Sequence, residues 1–249
     1  MGFYERFADV YDAFMRDVPY DEWVDNIEQI WVAYGSRPRR VLELGCGTGN
    51  MTGRFAARGY DMIGLDISCD MLTCAYEKNT VADRRILFLH QDMRVFELHD
   101  TVDACISVFD CINYILEYDE LTEMCMRVRK FLSPGGIFIF DINTEKKYAR
   151  LSEEGAYGIV LEDSACIWDN VYDAEQRLNE CAVHFFVSEN GGAAYRRNIE
   201  YHYNRAHSVP EVAGIVKKSG LSFIGAKDAE TMSDCDETSE RIYIICANS

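Results

Sequence analysis

The sequence lacks any apolar run long enough to span a bilayer, and acids and aromatics occupy the N-terminal residues where a signal peptide would be apolar. Its ten cysteines form no C-x-x-C pair and its five histidines are dispersed, so the pattern predicts neither a metal site nor a thioredoxin-like motif. Scattered single cysteines are typical of reduced thiols. We therefore expect a cytoplasmic protein with no metal and no membrane partner.

Basic residues are also scarce. The chain carries 25 lysines and arginines against 42 aspartates and glutamates, which gives a formal net charge of −17. A protein that grips phosphate backbones normally carries a basic face. The charge balance therefore argues against a nucleic acid partner, although a small basic patch is compatible with a negative average.

The chain does contain a glycine turn between a predicted strand and a predicted helix. Val41, Leu42 and Leu44 form the short apolar run of a buried parallel strand, and the turn Gly45-Cys46-Gly47-Thr48-Gly49 follows it. Alternating glycines let the backbone turn sharply without side chains. A helix predicted over 51–58 follows, so a ligand can approach main-chain N–H groups at its N-terminus.

Asp66 ends the next predicted strand, at about the spacing where an α/β nucleotide fold holds a ribose. The dinucleotide pattern G-x-G-x-x-G fails because Asn50 stands where its third glycine would be. Glu43 lies two residues before the turn, where a carboxylate is unhelpful for a pyrophosphate but suits a ligand with an ammonium and a sulfonium. A dehydrogenase is accordingly the least favoured function.

The ends of the other predicted parallel strands supply further candidates, because ligands bind beyond the carboxyl ends of such strands. The strands are predicted over 60–66, 85–90, 101–109 and 137–141. The candidates that follow their ends are Ile67, Met71, Asp92, Met93, Phe109, Asn113 and Tyr114.

Two amphipathic helices are predicted before the first strand, over 3–17 and 21–34. One interpretation is a packing cover. The other is a lid over the ligand, in which Tyr11 turns its ring and hydroxyl inward.

Residues 157–207 predict an antiparallel sheet with three strand-like runs, over 158–168, 181–187 and 195–205. Strand alternation puts Tyr201, Tyr203 and Arg205 on one face of the last run and Glu200, His202 and Asn204 on the other. The sequence leaves open which face looks into a cleft. A capping box at Ser208 then begins a helix, and strands at 221–224 and 241–246 complete the chain.

The turn resembles the first motif of class I S-adenosylmethionine (SAM) dependent methyltransferases, which reads like Glu43 to Gly49. The chain resembles the YqeM-like group of bacterial methyltransferases over nearly its whole length and, more distantly, nucleotide-amino-sugar and glycine-type N-methyltransferases. The segments that carry this resemblance are 7–12, 17–20, 45–49, 91–94, 113–114 and 237–241. Tyr114 stands where the amino-sugar enzymes place a histidine suited to take a proton, so a shared base and acceptor do not follow.

The resemblance implies an α/β fold with a Rossmann-like seven-stranded methyltransferase sheet, helices on both faces, SAM as the cofactor and S-adenosylhomocysteine as the product. We predict that residues 1–144 and 208–249 form the SAM-binding domain, with 1–35 as a helical lid. We predict that residues 145–207 form an inserted antiparallel β cap.

The site residues expected from the motifs and the resemblance fall into three groups. The cofactor-binding candidates are Tyr11, Glu43, Gly45, Cys46, Gly47, Gly49, Asp66, Ile67, Met71, Asp92, Met93 and Phe109. The catalytic candidates are Tyr114, His202 and Tyr11. The substrate-binding candidates are Asn113, Tyr114, Trp168, His202 and Arg205.

The favoured function is methyl transfer from SAM to an N or O atom of a small polar molecule, by a monomer or a homodimer. Two alternatives remain. One is a catalytically silent SAM-binding or regulatory protein, and the other is an RNA methyltransferase.

Overall fold

A computed structural model describes residues 7–81, 86–189 and 194–248. The helices are α1 (Phe7–Phe14), α2 (Tyr20–Ala33), α3 (Asn50–Ala57), α4 (Cys69–Val81), α5 (Tyr118–Phe131), α6 (Glu145–Glu154) and α7 (Val209–Ser219). The strands are β1 (Arg40–Leu44), β2 (Asp61–Asp66), β3 (Ile86–His90), β4 (Val102–Ser107), β5 (Leu132–Asn143), β6 (Tyr157–Val160), β7 (Ser164–Asp173), β8 (Leu178–Glu189), β9 (Ala194–Arg205), β10 (Ser222–Asp228) and β11 (Arg241–Ala247). Within the described ranges every helix is too short or too polar to cross a bilayer.

Seven strands form the main sheet in the order β10-β11-β5-β4-β1-β2-β3, which confirms the predicted seven-stranded architecture. All neighbours are parallel except β11, which runs antiparallel to both β5 and β10. The chain leaves β1 for β2 on one side, whereas β4 joins β1 on the other side. This reversal opens a crevice beyond the carboxyl ends of β1 and β4, where ligands of such sheets bind.

Helices cover both faces of this sheet because alternate strand residues point to opposite sides. Leu42 and Phe138 pack on one side in a core with α5 and α7. Val41 and Ile139 pack on the other side in a core with α2 and α3, around the buried Trp31. Full burial of each such side chain contributes about 1.5–3 kcal/mol, so the two cores hold the crevice residues on a rigid support.

The cap is a separate four-stranded antiparallel sheet in the order β6-β7-β8-β9. The sequence predicted one run over 158–168, which is wrong, because the structure has two strands there. The polar residues Glu162 and Asp163 lie in a turn, and the Leu161 N–H donates to the Ser164 carbonyl at 2.8 Å. Residues 190–193, between the second and third predicted runs, lie outside the described residues, as do residues 3–6 of the first predicted helix.

Other local differences concern segment ends. β5 begins at Leu132, ahead of the strand predicted over 137–141, and it includes Gly135, which adopts a φ of 76° while its N–H donates to the Asn248 carbonyl. The helix α6 was not predicted. The predicted capping box is confirmed: Ser208 accepts from the Glu211 N–H, and the Glu211 side chain accepts from the Ser208 N–H.

Asn113 joins three parts of the fold. Its Nδ2 donates to the Asn143 carbonyl at 3.0 Å and to the Arg205 carbonyl at 2.7 Å, while its Oδ1 accepts from the Asn143 N–H at 2.9 Å. The residue is fully buried in a short 3-10 helix, Cys111–Tyr114, that follows β4. It therefore ties the end of β5 and the end of β9 to the edge of the crevice.

We expect Asn113→Leu to lower the free energy of unfolding by roughly 3 kcal/mol or more, because it leaves one buried N–H and two buried carbonyls without a partner at about 1–3 kcal/mol each. Urea unfolding followed by circular dichroism measures the change. A loss below about 1 kcal/mol would show that these bonds contribute little to the fold.

Candidate active site

A cavity of about 710 Å³ lies in the crevice of the main sheet and beneath the cap. Ligand pockets typically enclose about 300–1,000 Å³, so this one can hold a cofactor with a small second molecule. Its floor is the glycine turn and the strand ends, and α1 and the start of α2 close one side. The 3-10 helix, α6 and the inner face of the cap close the other side.

The glycine turn presents bare backbone to the cavity. Gly45 and Gly47 adopt φ values of 71° and 51°, in the left-handed region that favours glycine. A Cβ on Gly45 would lie 2.6 Å from Cys111 Sγ, whereas a Cβ on Gly47 would meet nothing within 4 Å. Gly45 is therefore fixed by packing, and Gly47 leaves room for a ligand against the chain.

Asp66, at the end of β2, connects the glycine turn after β1 to the segment that follows β2. Its carboxylate accepts hydrogen bonds from the Gly47 N–H at 2.7 Å and from the Ser68 N–H at 2.8 Å. Desolvation raises its pKa despite these bonds. The side chain lines the cavity at the end of β2, in the position expected to hold a ribose.

Glu43 is buried under the turn and accepts a short hydrogen bond from the Thr52 hydroxyl. Burial raises the pKa of its carboxyl from 4.5 to about 8, and the charge of Asp66 adds to the rise. Such a group is mainly protonated at neutral pH. A positive ligand bound beside Glu43 would favour the ionised form of this carboxyl group. That form is the one the sequence analysis expects opposite an ammonium or a sulfonium.

Asp92 lines the cavity near Met93, but its carboxylate already holds a partner. Arg94 Nε lies 3.0 Å from both carboxylate oxygens, and Arg94 also pairs with Glu120 at 2.7 Å. The Arg94 guanidinium lowers the pKa of Asp92. The backbone N–H, Nε and Nη2 of Arg94 together make four contacts with this carboxylate, which has about four lone-pair sites, so a ligand amino group would compete with Arg94 for Asp92.

The helix α1 is attached to the glycine turn through Asp12, a residue that the sequence analysis missed. Its carboxylate accepts from the Thr48 hydroxyl at 2.6 Å, from Asn50 Nδ2 at 2.8 Å and from Lys78 Nζ at 2.6 Å. No local pattern reveals this contact, because Lys78 lies 66 residues along the chain. Tyr11, next to Asp12, faces the cavity, and desolvation raises the pKa of its hydroxyl well above the usual value.

The chain after β4 adopts a constrained conformation at the cavity edge. Phe109 and Asp110 have φ values of 71° and 53°, which non-glycine residues rarely adopt. Asp141 holds this conformation by accepting from both backbone N–H groups at 3.0 and 2.9 Å. Arg241 Nε lies 3.1 Å from Asp141, and its guanidinium lies 4.7 Å from the centre of the Trp23 ring. Backbone strain of this kind is concentrated at ligand sites.

The inner face of the cap carries Glu200, His202 and Asn204, which settles the question that strand alternation left open. His202 and Asn204 line the cavity, and Glu200 is buried beside them. Arg205 points to the other side, where its guanidinium donates to the Leu116 carbonyl and lies over the Tyr118 ring.

The structure brings two catalytic candidates into contact across 88 residues of sequence. The Tyr114 hydroxyl lies 3.1 Å from His202 Nδ1, and the two rings meet edge to face. On the other side of the imidazole, Glu200 Oε2 lies 3.4 Å from His202 Nε2. The sequence analysis placed Glu200 on this face but did not select it as a functional residue.

Most of the predicted site residues therefore meet at one cavity. Those that line it are Tyr11, Glu43, Gly45, Cys46, Gly47, Asp66, Ile67, Met71, Asp92, Met93, Phe109, Tyr114, Trp168 and His202. Gly49 lies behind the turn, where a Cβ would meet Ala75 at 3.1 Å. Asn113 and Arg205, expected to bind substrate, do not line the cavity, because Asn113 bonds to backbone and Arg205 lies on the outer face.

Comparison with known proteins identifies the kind of enzyme that this site serves. Residues 41–136 match the family described as the methyltransferase domain. The YqeM protein of Bacillus subtilis strain 168, a methyltransferase by name, is 32% identical over 241 residues, 96% of this chain and 95% of its own. A SAM-dependent methyltransferase from Clostridium acetobutylicum ATCC 824 superposes with a TM-score of 0.84 at 28% identity, over 99% of both chains.

The name of a third relative states the molecule that it methylates. The dTDP-3-amino-3,4,6-trideoxy-alpha-D-glucopyranose N,N-dimethyltransferase of Streptomyces venezuelae is 31% identical over 137 residues, 54% of this chain and 56% of its own. The fold and the cleft together define a class I SAM-dependent methyltransferase. Within that class, the chain belongs to the family of YqeM-like methyltransferases.

The residues at the glycine turn fit SAM. Gly47 leaves the turn open to a ligand, Asp66 suits a ribose, and Met71 and Met93 offer apolar surface to an adenine. Glu43 supplies a carboxyl group beside a cofactor that is positive and carries no phosphate.

We expect Gly47→Asp to weaken SAM binding at least about tenfold, equivalent to about 1.4 kcal/mol. The new carboxylate would occupy the open side of the turn beside Asp66. Gly59→Asp is the matched control, since Gly59 also has a positive φ, of 97°, and open space around its Cβ but does not line the cavity. Isothermal titration calorimetry with S-adenosylhomocysteine separates the two variants, and equal affinities would contradict the proposed position of the cofactor.

Glu43 also predicts a pH dependence of stability. Between about pH 4.5 and 8 the folded protein holds a proton on this carboxyl that the unfolded chain releases, so the free energy of unfolding should fall as pH rises through that window. In Glu43→Gln this decrease should be shallower. Urea unfolding of the ligand-free protein at several pH values measures the slope, with Glu123→Gln on the exposed side of α5 as the control. An unchanged slope in Glu43→Gln would contradict the raised pKa.

Proposed function

We propose that this enzyme transfers the methyl group of SAM to an N or O atom of a small polar molecule bound between Tyr114 and the inner face of the cap. The contact of Tyr114 with His202, backed by Glu200, carries the proposal. A hydroxyl and an imidazole at the wall of a ligand cavity suit removal of a proton from an amine or hydroxyl acceptor.

The shape of the cavity supports a small acceptor. The cap and α6 enclose the end of the cavity that lies away from the glycine turn, and α1 is attached to that turn through Asp12. A macromolecular substrate would have to present a single extended group to such a site. The formal net charge of −17 also disfavours a nucleic acid.

The residues have distinct tasks. When bound, SAM supplies a methyl group on a positive sulfonium that is already activated for transfer. The protein must therefore hold the acceptor in line and away from water, an effect that can be worth about 7–11 kcal/mol. The cap supplies the enclosure, and Tyr114 and His202 supply a place for the proton.

The direction of the proton path follows from Glu200. Its carboxylate faces His202 Nε2 at 3.4 Å, so it favours the tautomer with hydrogen on that nitrogen. His202 Nδ1 is then an acceptor for the Tyr114 hydroxyl. As the tyrosine oxygen takes a proton from the acceptor, its own hydrogen passes to Nδ1, and Glu200 stabilises the imidazolium that forms.

A screen of amine and hydroxyl metabolites with labelled SAM tests the function, and variants test the residues. We expect Tyr114→Phe and His202→Gln to lower kcat by about 10²–10⁴-fold while S-adenosylhomocysteine binds as before. Tyr203→Phe and His184→Gln are matched controls, because both residues lie on the outer face of the cap. Full activity in both test variants would exclude this proton path.

Glu200 acts as a positioning residue in this scheme, so its test is a double-mutant comparison. Glu200→Gln should lower kcat in the native chain and have little further effect in His202→Gln, because Glu200 acts through the same imidazole. Equal fold losses in the two backgrounds, or loss of S-adenosylhomocysteine binding, would show a merely structural role.

A further inference from the structure

Among the described strand residues of the cap that line the cavity, two have a buried polar atom without a hydrogen-bond partner. These atoms are Asn179 Oδ1 and Asn204 Nδ2. Their residues are 1% and 4% exposed, and both line the cavity. Each buried polar atom without a partner costs about 1–3 kcal/mol, so a pair of them at a cavity wall calls for an explanation.

The two asparagines are direct neighbours across β8 and β9. Asn179 Nδ2 donates to Asn170 Oδ1 at 3.0 Å, which leaves the Asn179 oxygen as the atom available to a ligand. The two unpartnered atoms do not bond to each other. The wall therefore offers one acceptor beside one donor.

Away from the glycine turn, the charged groups of the same cavity lie beside opposite charges. Arg241 lies beside Asp110 and Asp141, and Arg94 holds Asp92. Lys147 donates to Asn143 at 3.0 Å and lies in the field of Asp110 and Asp141. Glu200 Oε1 and Oε2 also lack hydrogen-bond partners within the described part of the chain, but Glu200 does not line the cavity. The unpartnered groups that the described cap strands present to a ligand are therefore neutral amides, which match a neutral partner.

We propose that Asn179 and Asn204 bind an uncharged group of the methyl acceptor that both donates and accepts a hydrogen bond, namely a hydroxyl or a primary carboxamide. This inference rests on the proposed function, because it takes the acceptor to enter this cavity. Asn204 lies two residues from His202 on the same face of β9, a spacing of about 7 Å along the strand. The recognised group is therefore separated by a few bonds from the atom that receives the methyl group.

Nuclear magnetic resonance of the full chain saturated with S-adenosylhomocysteine tests the subsite without any turnover. The side-chain amide signals of Asn179 and Asn204 are assigned from Asn179→Leu and Asn204→Leu. The probes are erythritol for hydroxyl groups, propionamide for a carboxamide and propionate as the charged isostere of the amide. We expect at least one neutral probe to shift both signals saturably and propionate to leave them unchanged.

In each leucine variant the neutral probe should bind roughly threefold to tenfold more weakly, the effect of one lost hydrogen bond. Shifts with propionate equal to those with propionamide, or no saturable shift with either neutral probe, would overturn the proposal. If the subsite binds a probe but no acceptor is methylated in the screen, the proposed function fails and the subsite stands.

Stability supplies a second, ligand-free test. Asn204→Leu removes an unpartnered buried donor, so this variant should be as stable as the native chain or more stable. Asn179→Leu also breaks the bond to Asn170 Oδ1, so it should lose about 1–3 kcal/mol and is not used for this test. Asn113→Leu, whose amide bonds are all made, is the contrasting case. A large loss of stability in the Asn204 variant would show that Asn204 serves the fold, and would overturn its assignment to a ligand.

Discussion

The amide of Asn113 fixes the walls of the cleft relative to one another. Tyr114 directly follows Asn113 in the chain. The bonds of Asn113 to Asn143 hold the end of β5, and its bond to the Arg205 carbonyl holds the end of β9. His202 lies three residues before Arg205 on that same strand. Tyr114 lies in the 3-10 helix that follows β4, whereas His202 lies in β9 of the cap. The contact of 3.1 Å between these two residues therefore depends on the hydrogen bonds of Asn113 to the backbone.

The cavity divides into two chemically different halves. The half at the glycine turn has Glu43 and Asp66, two carboxyl groups whose pKa is raised by desolvation, and it suits a positive ligand without phosphate. The half beneath the cap has neutral amides beside the Tyr114–His202 pair. Under the proposed function, cofactor and acceptor would therefore meet chemically different surfaces.

Local motifs located the first half of the cavity, whereas they predicted the second half only in part, through Tyr114, Trp168 and His202. The turn from Gly45 to Gly49 and the strand-end Asp66 lie within one strand-turn-helix-strand unit, so their spacing alone locates them. Strand alternation divides the side chains of the last cap strand into two faces, but it does not say which face lines the cavity, because that depends on how the cap packs on the main sheet. Asn113 and Arg205 have the polar character of substrate residues, but the structure uses Asn113 to bond backbone and places Arg205 outside. The role of Asp12 could not be predicted from the sequence, because its partners Thr48 and Lys78 lie 36 and 66 residues away along the chain.

The choice of acceptor is constrained by two points on one strand. His202 and Asn204 share a face of β9 and lie about 7 Å apart along the strand, so the proposed acceptor would extend from the Tyr114–His202 pair to the two asparagines. A molecule with only an amine or a hydroxyl could reach Tyr114 but would leave Asn179 and Asn204 without partners. That cost favours a neutral acceptor with more than one polar group.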